Sequence, residues 1–127
     1  MNPTLILVAA LGGSIGSAAR YVVGVTAGRV FGTTFPWATL IINVSGSVLM
    51  GAFVAFFLTR WDISQAGRVF LTVGICGGYT TFSTFSLDAY SLIEKGDISS
   101  AAIYIIASSV LSISALALAM YVVRSLP

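Results

Sequence analysis

Gly74-Ile75-Cys76-Gly77-Gly78-Tyr79-Thr80-Thr81-Phe82-Ser83-Thr84-Phe85-Ser86 lies inside an otherwise apolar run from about residue 68 to 93. A run of that length can cross a bilayer, which takes about 20 residues at roughly 1.5 Å of rise each. Two adjacent glycines followed by hydroxyl and aromatic residues are poor material for an uninterrupted helix. The Gly77-Gly78 pair therefore predicts a membrane helix that opens partway along. An opening frees backbone carbonyls at bilayer depth, and these need partners. A hard cation such as Na⁺ suits oxygen ligands. Plain packing glycines in a continuous helix are the other reading of the same spacing.

Three more apolar segments flank this one, at roughly 4–27, 36–59 and 99–124. The connectors between them hold most of the charges and turn residues: Gly28-Arg29 through Phe35-Pro36, Arg60-Trp61-Asp62, and Glu94-Lys95-Gly96-Asp97. Trp37 and Trp61 bracket the second segment, where indole rings favour the membrane interface. The Met-Asn-Pro-Thr start carries no basic region ahead of a long apolar segment, so a retained helix is expected rather than a cleaved signal. The expected fold is an all-α membrane protein, one domain over residues 1–127 with four transmembrane helices, the third broken.

Composition supports lipid as the main solvent. The 127 residues are 57% hydrophobic and 8% charged, with mean hydropathy +1.02. Soluble domains are about 25% charged, and a small domain leaves much of its chain exposed. The six basic residues are scattered from Arg20 to Arg124 and form no patch for nucleic acid. A single Cys76 excludes an intramolecular disulfide, and the absence of histidine argues against zinc, haem and histidine-based triads.

Polar residues inside the segments are the candidate functional groups. Asn43 lies mid-segment, a costly position unless it faces protein or water. Its amide offers donors that suit a dehydrated anion, and a helix–helix hydrogen bond is the equally weighted alternative. Tyr104, Ser108 and Ser112 follow at steps of four and form a hydroxyl stripe on one helix face. Serines can also bond back to their own helix, which would silence the stripe. Phe82 and Phe85 share a face if helical, with Ser83, Thr84 and Ser86 interleaved, and phenyl edges carry the positive end of the ring quadrupole. Arg20 and Asp88 are the ionisable residues best placed within segments, with weaker cases because either can reach an interface. Gly12 and Gly16 form a GxxxG, and Ser47 and Gly51 repeat the small-residue spacing that lets helices approach closely.

Basic residues are balanced across the membrane. With four spans, Arg60, Arg68 and Arg124 fall on one side, and Arg29, Lys95 and Arg20 on the other. The positive-inside rule needs an excess to set orientation. Its absence points to insertion both ways round, and so to two oppositely oriented copies pairing about an axis in the membrane plane, as inverted repeats do within one chain.

Gly77-Gly78-Tyr79-Thr80-Thr81-Phe82-Ser83-Thr84-Phe85-Ser86 resembles the third-helix signature of the fluoride channel (Fluc, CrcB) family. Gly12-Gly13-Ser14-Ile15-Gly16 with Arg20, and Thr39-Leu40-Ile41-Ile42-Asn43, resemble its first and second helix motifs. The resemblance implies a passive fluoride channel in the inner (plasma) membrane, an antiparallel homodimer with two pores. It implies that Asn43, Phe82 and Phe85 contact fluoride, with Ser83, Thr84, Tyr104, Ser108 and Ser112 along a polar track. It also implies a structural Na⁺ held by the backbone carbonyls of Gly77 and Thr80. Two residues depart from the pattern: Tyr79 stands where leucine is usual and Asp88 where glutamate is common. A small multidrug-resistance exporter is the competing class, but its proton exchange needs a carboxylate in the first helix, and the first segment has none. An accessory subunit without transport activity would not need Asn43 or the hydroxyl stripe. An enzyme lacks paired carboxylates in the spans to support it.

Overall fold

The computed structural model describes residues 2–60 and 62–127, and all regular structure among them is helical. The interfacial role expected of Trp61 lies outside the described residues. Helix α1 spans Pro3–Phe31. Asn2 caps it, accepting from the Thr4 amide at 3.0 Å, and Pro3 takes the first turn, where a missing N–H costs nothing. The expected end near residue 27 is a turn too early. Gly28 and Arg29 remain helical, and the helix stops at Gly32, whose φ of 77° is open to glycine and strained for other residues.

Helix α2 spans Trp37–Thr59, and α6, after the turn at Gly96, spans Ile98–Ser125. Asp97 caps α6 by accepting from the Ser100 amide at 3.1 Å, and hydrogen bonding from Ser100 holds its carboxyl below the usual range. Helices α1, α2 and α6 are each long and apolar enough to cross a membrane, with 29, 23 and 28 residues. Much of their outward surface is apolar, including Leu7, Leu11, Ile113 and Tyr121. Water would not tolerate so continuous a face; lipid or another apolar surface would.

The segment between them is built in pieces. Ser64 caps α3 (Gln65–Val69), which runs into a π-helical stretch, π1 (Phe70–Cys76), and one further turn, α4 (Gly77–Tyr79). Thr80 and Thr81 are extended, at φ −77°, ψ 161° and φ −153°, ψ 119°, and α5 (Phe82–Glu94) follows. The helix is broken, but not at the glycine pair. Gly77 and Gly78 stay helical, and the chain opens just beyond them at Thr80-Thr81.

Close packing explains what the glycines do instead. A Cβ added to Gly78 would lie 2.5 Å from the Gly13 carbonyl oxygen and 2.9 Å from its Cα. One on Gly12 would lie 2.5 Å from the Phe70 carbonyl oxygen, and Gly74 meets Gly12 in return. The GxxxG of α1 is thus a seat for π1 and α4. Gly51 lets α2 approach the backbone of α6 at Leu116 in the same way. Tyr104 is fully buried, in a cluster with Leu40, Ala89, Leu92 and Ala101 from α2, α5 and α6. At one end, Arg60 donates to the carbonyls of Leu126 and Pro127, so the end of α2 meets the end of α6.

Candidate functional site

The break is bound to α2 through main-chain groups. Asn43 Nδ2 donates to the Thr81 carbonyl at 3.0 Å, and Asn43 Oδ1 accepts from the Thr81 amide at 2.9 Å. Thr81 also caps α5, accepting from the Thr84 amide at 3.2 Å. These bonds redirect two amides. In a continuous helix the Thr81 amide would serve the Gly77 carbonyl, and the Thr84 amide the Thr80 carbonyl. Both are occupied elsewhere, so Gly77 and Thr80 lose their helical donors.

Beside the break lies a cavity of about 370 Å³ between α2, α5 and α6. Asn43 of α2, Thr80 and Thr81 of the break, Phe82 and Phe85 of α5, and Ser108 and Ser112 of α6 are among its lining residues. Its lining carries no charged residue. The serine stripe is not silenced by back-bonding: Ser109 donates to the Ile105 carbonyl at 2.8 Å, whereas the buried hydroxyls of Ser108 and Ser112 have no partner among the described residues. Orphan hydroxyls beside a cavity are donors available to something that enters it.

Aromatic rings continue from this cavity into the core. Phe82 and Phe85 have centroids 5.4 Å apart, Phe85 and Tyr104 5.3 Å, and Phe35 meets Tyr104 edge-on at 5.7 Å. Tyr104 is therefore part of the ring series rather than of the cavity wall. Its hydroxyl donates to Asp88 Oδ2 at 3.2 Å, and Thr39 Oγ1 donates to the same oxygen at 2.6 Å. Asp88 is thus engaged within the protein and does not line the cavity.

Arg20 lies apart from the first cavity. It lines a second one, of about 630 Å³, between α1, α2 and the start of α5, together with Arg29, Thr39 and Thr84. Thr81 lines both cavities, so the break stands between a neutral chamber and a basic one. Ser83 is exposed and reaches Thr81 Oγ1 at 3.3 Å, short of the first cavity's wall. Thr39 and Thr81 join the site only through tertiary contacts, Thr39 with Asp88 and Thr81 with Asn43. The two-way role of Thr81 depends on Asn43, distant along the chain, and has no local sequence signal.

A sequence profile for the CrcB-like protein family (Camphor Resistance, CrcB) matches residues 7–120. Fluoride-specific ion channel FluC 1 of Nitrobacter hamburgensis is 56% identical over 126 residues, covering 99% of this chain and all of the relative. Fluoride-specific ion channel FluC of Nitrobacter winogradskyi is 56% identical over 124 residues, 98% of each chain. The corresponding channel of Methylobacterium sp. is 48% identical over 118 residues, covering 93% of this chain and 94% of the relative. With a profile match along most of the chain and relatives aligned end to end, this multi-pass membrane protein belongs to the CrcB-like family.

Proposed function

We propose that the chain is a passive, fluoride-selective channel that exports fluoride across the inner membrane. The observation that carries this reading is the uncharged cavity at the break, lined by Asn43, Phe82 and Phe85 and by Ser108 and Ser112, whose buried hydroxyls have no partner among the described residues. Fluoride is small and strongly hydrated, so passage requires several close donors to replace its water. Serine hydroxyls, the second amide hydrogen of Asn43 and phenyl edges are donors of that kind. A lining without fixed charge binds an anion weakly enough for it to leave. The names of the aligned relatives support fluoride as the ion. Fluoride and chloride efflux from liposomes tests the proposal: rapid fluoride loss with chloride retained is expected, and equal efflux overturns it. The multidrug-exporter alternative is not favoured, since α1 carries no carboxylate for proton exchange.

The channel is read as an antiparallel homodimer of four-span chains with two pores. The three-to-three balance of basic residues and the broad apolar exterior support it. Adding two or three lysines to one loop should bias insertion and abolish flux, and co-expression of the oppositely biased chain should restore it. Normal conduction by a uniformly oriented population would exclude the arrangement.

A structural Na⁺ at the dimer axis completes the reading. The carbonyls of Gly77 and Thr80 suit it, because their helical amides are diverted to Asn43 and Thr81. Bound there, the cation would neutralise converging carbonyl dipoles where two copies meet.

A further inference from the structure

We propose that Tyr79 is a positioning residue for the cation, acting through Ser45; this rests on the Na⁺ reading above. Turn α4 consists of Gly77, Gly78 and Tyr79, so Tyr79 carries its only side chain. Whatever sets the rotation of this turn, and with it the direction of the Gly77 carbonyl, acts through that ring or through the backbone. The ring is buried, and its hydroxyl lies 2.9 Å from Ser45 Oγ.

The direction of that bond follows from counting protons. Ser45 has one hydroxyl hydrogen, and its Oγ sits 2.7 Å from the Ile41 carbonyl of its own helix and 3.2 Å from that of Ile42. That hydrogen is committed to α2. Tyr79 is therefore the donor and Ser45 the acceptor, which makes the bond directional towards a rigid helix. Gly46 leaves the space: a Cβ there would come within 3.1 Å of Tyr79 Cδ1 and collide with Thr80 Cγ2. Helix α2 thus grips three successive residues, with Ser45 on Tyr79, Gly46 beneath Thr80 and Asn43 on Thr81. A leucine at 79 would fill the volume without the bond. The hydroxyl adds an orientation that packing alone leaves soft.

Thermal unfolding of the purified protein, titrated with NaCl against N-methyl-D-glucamine chloride at constant ionic strength, tests this. Wild type should be stabilised by Na⁺. In Tyr79→Phe, the Na⁺ concentration needed for a given rise in melting temperature should be about fivefold higher, the scale of one net hydrogen bond. Ser45→Ala should give the same shift, and the double variant no more than either single one. The deficit in melting temperature should be smallest without Na⁺ and widen to a limit as Na⁺ is added, whereas a merely structural bond would lower it equally at every Na⁺ concentration. An unchanged Na⁺ requirement in both single variants, or additive shifts, overturns the positioning role while leaving the cation reading intact. A wild type that does not respond to Na⁺ overturns both. Should Tyr79→Phe fail to fold, Ser45→Ala gives the same reading from the other partner.

Discussion

Asn43 pairs with Thr81 as one peptide group pairs with another, donating from Nδ2 at 3.0 Å and accepting at Oδ1 at 2.9 Å. A broken helix at membrane depth leaves backbone groups that lipid cannot satisfy. One side chain from a neighbouring helix answers two of them. Asn43→Ala should therefore destabilise the protein by about 2 kcal/mol or more, since it strands both a buried N–H and a buried carbonyl. Thermal unfolding in detergent checks the loss, and fluoride efflux should fall with it.

Ser108 and Ser112 should behave in the opposite way. Their hydroxyls are buried and without partners among the described residues, so they add nothing to the fold of the chain. Alanine at either position should leave stability unchanged or raise it by up to about 1 kcal/mol, because an unsatisfied polar group is removed. Fluoride flux should drop. A loss of stability matching the loss of flux would mark them as structural.

Adjacent contacts in the α1 seat separate two glycines. A Cβ on Gly78 meets the Gly13 backbone at 2.5 Å, while one on Gly13 has nothing within 4 Å. Gly78→Ala should cost about 1–3 kcal/mol through overpacking against main chain that cannot step aside. Gly13→Ala should be close to neutral in the same unfolding measurement.

Phe82 and Phe85 both line the cavity but are anchored differently. Phe82 is 79% exposed in the chain, whereas Phe85 packs against buried Tyr104. Phe82→Ala should change the stability of the chain by about 0.5 kcal/mol or less, as at an exposed site. Phe85→Ala should cost about 2 kcal/mol or more from lost core packing. Fluoride efflux is expected to fall in both, and a Phe82→Ala protein with full flux would remove that ring from the pathway.

Hydropathy was sufficient for the class of fold, because segments of 20 or more apolar residues have few solvents besides lipid. Close-packing glycines were legible as well, since GxxxG spacing places small residues on one face whatever the helix meets. The end of α1 was not: Gly28 and Gly32 look alike in sequence, and only Gly32 takes a positive φ. The π-helical stretch carried no composition signal at all.

The sequence by itself determined a membrane-embedded helical chain with a weak point in its third segment and a short list of polar groups within reach of it. Tertiary structure decided where that segment opens and which groups meet there. Glycines make a break inexpensive, but they also permit close approach, and here α1 takes up that second use at Gly74 and Gly78. The chain parts instead at Thr80-Thr81, where Asn43 can receive the backbone and Thr81 can cap the next helix. Local propensity says only that a break is possible. Its position is set by partners far away in the chain, because every main-chain group released inside a bilayer must find one.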